Sequence, residues 1–313
     1  MLPLFTRGIT PNPLARLTRR DLLRFAGIGS VVLVSGFLPA GRLFGDDPPT
    51  AVQDFFFLQL SDTHLGFSGP KVNPDPLGTL PRAIAAVNAL PVQPDFIVFT
   101  GDLTHTTPDA GERRARMQKF QAAVAQLKNQ NIRYLPGEHD AAEDQGQIYR
   151  ELFGPTHYSF DHKGVHFIAL DNVSDPGAIL GQEQLAWLEK DLKDLSRDTR
   201  IVVFTHRPLF DLFPQWDWST RDAQAAIDLL MPFTQVTVFY GHIHQEHHHT
   251  TGHIQHHAAH GLMFSLPAPG SVPKKAPIPW DAAHPYAGLG SREVELDSTK
   301  VLPGVVELPL SAP

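Results

Sequence analysis

FFFLQLSDTH, residues 55–64, decides how the rest of the chain is read. Its first six residues are aromatic or aliphatic apart from Gln59, the make-up of a strand buried on both faces. Directly after that run come Asp62 and His64. The arrangement recurs downstream. DFIVFT (95–100) runs into Gly101 and Asp102. IRYL (132–135) runs into Pro136, Gly137, Glu138, His139 and Asp140. IVVFT (201–205) runs into His206, and VTVFY (236–240) into Gly241, His242, Ile243 and His244. Five strand ends therefore each deliver an acid or an imidazole. In open α/β sheets, ligands bind beyond the carboxyl ends of strands, on loops that the sheet holds fixed.

Between these runs lie amphipathic segments. Met117, Phe120, Val124 and Leu127 recur at helical spacing within 112–128, and Leu185, Leu188, Leu192 and Leu195 within 181–195. HYSFDH and VHFIAL, on either side of Lys163 and Gly164, predict a β-hairpin. Strand–helix alternation predicts an α/β fold with helices covering sheets. The Pro-rich tail, 262–310, reads as edge strands and loops.

Composition narrows the chemistry. The 313 residues are 42% hydrophobic, enough for a sizeable core. A net charge of −7, with no basic run interleaved with aromatics, gives no sign of a nucleic-acid-binding module. Cysteine is absent, which excludes disulfides, thiolate metal sites and a thiol nucleophile. Any metal must be held by oxygen and imidazole nitrogen.

The N-terminus differs from the rest. Arg19 and Arg20 in TRRDLLRF (18–25) precede an uncharged run from 25 to 41, too short for a spanning helix. The segment resembles a twin-arginine signal, with Leu22 and Arg24 where Phe and Lys are typical. Residues 1–41 are therefore expected to be an export signal, 42–53 a linker and 54–313 one catalytic domain. The resemblance implies the twin-arginine export machinery as a partner and a periplasmic or extracellular location. No small-x-small cleavage site stands near Ala40, so retention as an N-terminal membrane anchor stays open.

Taken together, the five strand-end motifs resemble those of the calcineurin-like metallophosphoesterase superfamily: Asp-x-His, Gly-Asp, Gly-Asn-His-Asp/Glu, a lone His, then Gly-His-x-His. The resemblance runs from about residue 55 to 273. It implies a four-layer α/β/β/α sandwich of two mixed sheets, with two divalent or mixed-valence transition metal ions (Mn, Fe or Zn) at the strand ends. Carried over residue by residue, Asp62, His64, Asp102 and His244 would hold one ion. Asp102, Glu138, His206 and His242 would hold the other, with Asp102 bridging. The activity implied is hydrolysis of phosphoric esters by a bridging hydroxide. His139 would serve as general acid or hydrogen-bond donor, and Asp140 would orient it. A metal cluster inserted before folded export would favour Mn or Fe over Zn.

Two positions depart from the family pattern. Glu138 stands where Asn is expected. It can bind the second ion, swing away and weaken that site, or mark lost activity. His105 stands where purple acid phosphatases place a metal-bound Tyr, which points away from that branch. The run from 240 to 261 holds nine of the seventeen histidines, and only His242 and His244 sit at a strand end with upstream partners. The other seven read as a solvated hairpin or loop beside the site, or as a cleft edge that binds phosphate or a surplus metal ion. DLFPQWDWS (211–219) reads as a stacking surface for substrate or as packing. Monoester or diester preference is not legible. The competing reading is an exported His-rich metal-binding protein on an inactive phosphoesterase scaffold. The presence of His139 and Asp140 separates the two, because a metal carrier needs no general acid.

Overall fold

The computed structural model describes residues 51–311. The expected export signal, and all of the expected linker before residue 51, lie outside them. Among the described residues no helix is long and apolar enough to cross a membrane.

In chain order the strands are β1 (Phe55–Leu60), β2 (Phe96–Thr100), β3 (Ile132–Leu135), β4 (Tyr158–His162), β5 (Val165–Ala169), β6 (Arg200–Phe204), β7 (Gln235–Tyr240), β8 (His247–Thr251), β9 (Ile254–Ala258), β10 (Gly290–Leu296) and β11 (Gly304–Pro309). The helices are α1 (Thr79–Asn88), α2 (Ala110–Val124), α3 (Glu138–Ala141), α4 (Gln147–Phe153), α5 (Gly181–Leu192) and α6 (Ala223–Leu230). One sheet has the order β11-β10-β1-β2-β3, with β1, β2 and β3 parallel and β10 and β11 antiparallel additions. The other has the order β4-β5-β6-β7-β9-β8, with four central parallel strands and antiparallel edges β4 and β8.

Every residue of β1 is buried because the strand serves two cores. Phe55 and Phe57 face the second sheet, while Phe56, Leu58 and Leu60 pack under α1 and α2. Phe57 stacks on Phe96 at 4.8 Å and meets Phe204 and Phe239 edge-on at 5.5 and 5.7 Å. Such offset and edge-to-face contacts are the favoured aromatic geometries. Leu185, Leu188 and Leu192 of α5, with Ala223, Ile227 and Leu230 of α6, cover the outer face of the second sheet. The result is a four-layer α/β/β/α sandwich of two mixed sheets.

Two expectations change. β10 is not an edge strand but lies between β1 and β11. Its inward residues include Arg292, fully buried, which hides the period-2 apolar signal. The guanidinium is tolerated there because Glu307 Oε1 accepts from Nε and the Ala258 carbonyl accepts from Nη2. In the stretch 211–219 the two Trp rings are packing, while Phe213 is only partly buried. Trp216 and Trp218 are buried edge-to-face at 5.0 Å among Tyr240, Phe264 and Leu266.

Candidate metal centre

The loops after β1 and β2 run side by side. Asp62 N–H donates to Gly101 O at 3.0 Å, His64 N–H to Asp102 O at 2.9 Å and Leu65 N–H to Leu103 O at 3.1 Å. The end of β7 joins them, for His242 N–H points at Asp62 Oδ2 at 3.2 Å and Gly241 N–H at His206 O at 3.1 Å. Asp62, His64, Asp102, His242 and His244 all have left-handed backbone, with φ from 39° to 65°. This conformation is uncommon outside glycine, and Asp and His are among the side chains that visit it most readily. Each turns its side chain sharply inward from a strand end. Gly137 is required for a related reason: a Cβ there would stand 2.0 Å from Asp102 Oδ1.

These turns bring the ligand atoms together. Those of Asp62, His64, Asp102 and His244 lie within 4.8 Å of one another, and so do those of Asp102, Glu138, His206 and His242. All but Glu138 are buried. His64 Nε2 is 3.1 Å from His244 Nε2 and 3.5 Å from Asp102 Oδ2, and His244 Nε2 is 3.1 Å from Asp62 Oδ1. In the second set, His206 Nε2 is 3.4 Å from Asp102 Oδ2 and 2.9 Å from Glu138 Oε2, with His242 Nδ1 at 2.8 Å from Glu138 Oε1. Glu138 therefore turns into the cluster, not away from it.

The donors fit a cation. His206 Nδ1 donates to Thr100 O at 2.7 Å and His244 Nδ1 to Phe264 O at 2.7 Å, so in the neutral rings each Nε2 presents a lone pair inward. His206 Nε2 and Glu138 Oε2 are buried 2.9 Å apart without a well-formed hydrogen bond, polar atoms that a cation could satisfy. Burial opposes the charge on Glu138, but His242 and His206 hold its carboxyl well below the ordinary value. Burial likewise opposes the charge on Asp62, which His244 and His206 keep lowered. Burial also disfavours a charged His206, yet Asp102 and Glu138 raise it well above 6.5. Ionised carboxylates facing buried imidazoles form a donor set that suits a metal cation.

His139 lies at the rim, half-buried, with Nε2 3.8 Å from Asp102 Oδ2. Its orienting partner is not Asp140. Thr106 N–H donates to His139 Nδ1 at 3.2 Å, and Thr106 Oγ1 lies 2.5 Å from the same nitrogen. In the neutral ring Nδ1 thus accepts and Nε2–H points toward the centre. Asp140 does different work. Its carboxylate accepts from the backbone of Gly137, Leu103 and Thr104 at 2.8–2.9 Å, and from Thr104 Oγ1 at 2.8 Å. It knots the β2 and β3 loops together, and burial with the nearby Asp102 charge pushes its carboxyl up to about 6.

A further residue belongs here. His105 Nδ1 sits 3.2 Å from His64 Nδ1, and the His105 ring stacks on His139 at 4.9 Å. If His64 offers Nε2 to a cation, its Nδ1–H donates to His105, which then fixes the tautomer. The sequence signal was its place three residues after Asp102, but nothing in one sequence shows that the ring turns back toward His64.

With this geometry in place, the class of protein is defined. The chain belongs to the calcineurin-like phosphoesterase family, which it matches over residues 57–246. It is similar to a probable cyclic nucleotide phosphodiesterase of Rhodopseudomonas palustris, 26% identical over 255 residues that span 73% of this chain and 86% of the relative. It is also similar to a cAMP/cGMP dual specificity phosphodiesterase of Mycobacterium tuberculosis, 29% identical over 208 residues, 61% of this chain and 62% of the relative. Among solved structures, a purple acid phosphatase from yellow lupin seeds superposes with a TM-score of 0.56 at 16% identity, covering 80% of this chain and 50% of that one. A dimetal phosphatase from Danio rerio gives 0.51 at 14% identity, covering 82% and 99%. The chain is a metal-dependent hydrolase of phosphoric esters, and the reading as an inactive metal carrier is not favoured.

Proposed function

We propose that this chain is a phosphodiesterase. In this reading Asp62, His64, Asp102 and His244 hold one transition-metal ion, and Asp102, Glu138, His206 and His242 hold another. The observation that carries the proposal is the pair of four-donor sets meeting at Asp102. Bound there, two ions would supply Lewis acidity toward phosphoryl oxygens and bring the pKa of water down toward neutrality.

The protein's own groups do the rest. His139 presents Nε2–H over the centre, placed to donate to a phosphoryl or leaving-group oxygen. Asp140 and Thr106 hold the loops that carry it. Glu138 bears on substrate charge. Relative to the Asn of the family pattern, its carboxylate lowers the charge of the loaded centre by one, which suits a monoanionic diester better than a dianionic monoester. The names of the two phosphodiesterase relatives support the same class. Release of p-nitrophenol from bis-p-nitrophenyl phosphate should exceed release from p-nitrophenyl phosphate, and Asp102→Asn should cut the diester rate at least about a hundredfold. A faster monoester, or a rate that chelator leaves untouched, would overturn the proposal.

We also infer export by the twin-arginine route, supported by Arg19 and Arg20 ahead of the uncharged run 25–41. Loading before export supports Mn or Fe as the native metal. Metal analysis of protein recovered from the periplasm tests both inferences, and zinc alone would count against the second.

A further inference from the structure

We propose that the hairpin of β8 and β9 carries a separate metal-binding site, a cross-strand chelate formed by His248 and His257 for a borderline dication such as Ni, Cu or Zn.

Most of the hairpin's histidines have other duties. On one face, His247 Nδ1 lies 3.1 Å from the Tyr240 hydroxyl, and His249 stacks on Phe210 at 3.9 Å with His256 buried beside them. In the turn, His253 Nε2 donates to Phe233 O at 2.5 Å. The opposite face is different. His248 and His257 stand directly across the antiparallel ladder from one another, with their Nδ1 atoms 2.6 Å apart. Glu246 Oε1 lies 3.0 Å from His248 Nε2. A carboxylate only accepts, so the proton is on Nε2, and in the neutral ring Nδ1 is left as a lone pair aimed at His257. A carboxylate on the far nitrogen of an imidazole is the outer-shell arrangement that orients a metal ligand and raises its basicity.

The partner ring is equally fixed. His257 stacks on Phe239 at 5.5 Å. Burial and the nearby Arg292 push its pKa down to about 3, so the ring is neutral at neutral pH. With no ion bound its Nδ1–H donates to His248 Nδ1, and an ion between the two nitrogens takes the place of that proton, which moves to Nε2 of His257. The Arg292 charge is itself taken up by Glu307, so Glu246 remains to balance an incoming cation. Directly opposed residues on a ladder have their Cβ atoms about 5 Å apart, which sets the bite of the chelate before any ion arrives. β8 is an edge strand and the His248 side chain is 51% exposed, so solvent can complete the coordination. Imidazole donors with open positions suit Ni, Cu and Zn. None of these three residues is among the donors of the dinuclear centre.

Equilibrium dialysis of untagged protein against Ni²⁺, followed by metal analysis, tests the site. His248→Asn and His257→Asn should each bind one ion per chain fewer than the parent, and Glu246→Gln should weaken that ion about tenfold. His284→Asn, an exposed histidine on a different loop, should change nothing. Phosphoesterase activity and far-UV circular dichroism should stay at parental levels in all four, which separates this site from the catalytic reading and from misfolding. Equal stoichiometry in parent and variants, or a loss on changing one histidine but not the other, would overturn the chelate.

Discussion

Thr106 shows how one side chain specifies the chemistry of another. By occupying His139 Nδ1 it leaves the proton on Nε2, the atom that faces the centre. His139→Ala should lower kcat by about 10²–10³ with metal content unchanged, as a positioned donor contributes on that scale. Thr106→Val keeps the backbone N–H and removes only the hydroxyl, so its cost should stay within about tenfold, the worth of one ordinary hydrogen bond. Equal losses in the two variants would show that Thr106 does more than orient the ring. His105 has the corresponding relation to His64. Replacing it with Phe preserves ring packing but leaves His64 Nδ1–H without its acceptor. Metal affinity should then fall by about 10–100-fold. His105→Gln, which can still accept, should recover part of it. Metal-binding isotherms that are identical for the Phe variant and the parent would remove His105 from the centre.

At the level of elements, strands were the legible part of the sequence. The five runs that precede Asp62, Asp102, Glu138, His206 and His242 lie within a residue of β1, β2, β3, β6 and β7. Four of these strands, all but the partly buried β3, are buried along nearly their whole length and read as short apolar blocks. The Lys163-Gly164 hairpin was equally clear. β10 was not, as its inward Arg292 is polar and only its partners on β11 and β9 explain the burial. The histidine run could be read as a solvated hairpin or a loop, but not as part of a sheet, since the pairing of β9 with β7 is a long-range contact. The role of Asp140 was hidden for the same reason, as most of its partners lie on the loop after β2. One inter-sheet contact has a measurable consequence. Asp95, just before β2, accepts from Lys163 and from His162 Nε2 at 3.1 Å, in and beside the turn of the β4–β5 hairpin. Burial would raise the Asp95 carboxyl, but Lys163 and His162 hold it lowered. A carboxyl lowered by folding stabilises above its usual pKa near ~3.9 and loses that contribution as pH falls through the depressed value. Asp95→Asn should therefore unfold at lower urea than the parent at pH 7, with the gap closing as the pH drops below the usual carboxylate range. A gap that persists undiminished in acid would mean the ion pair is not its source.

Across the whole molecule, two sheets supply rigidity and one small region uses it. Five of the left-handed residues other than glycine are Asp62, His64, Asp102, His242 and His244. A non-glycine residue costs about 1 kcal/mol or more in that conformation, and it persists because surrounding structure fixes it. Here the fixing comes from aromatic packing between the sheets and from the loop-to-loop hydrogen bonds that join the strand ends. Carboxylates and imidazoles concentrated in one buried place are a poor substitute for an ion, because they leave His206 Nε2 and Glu138 Oε2 without hydrogen-bond partners. An ion that binds the native centre and not the unfolded chain adds about 2.7 kcal/mol when free metal is a hundredfold above Kd. Two such ions, in a domain of this size, correspond to about 10–20 °C in Tm. Exhaustive dialysis against chelator should lower Tm by that amount and abolish diester hydrolysis, and added Mn²⁺ or Zn²⁺ should restore both together. Asp102→Asn, which weakens both donor sets at once, should start near the lower Tm and respond little to either treatment. If chelator removed activity but left Tm unchanged, the ions would be bound too weakly to be part of the folded framework. The strained turns would then owe their stability to the sheets alone.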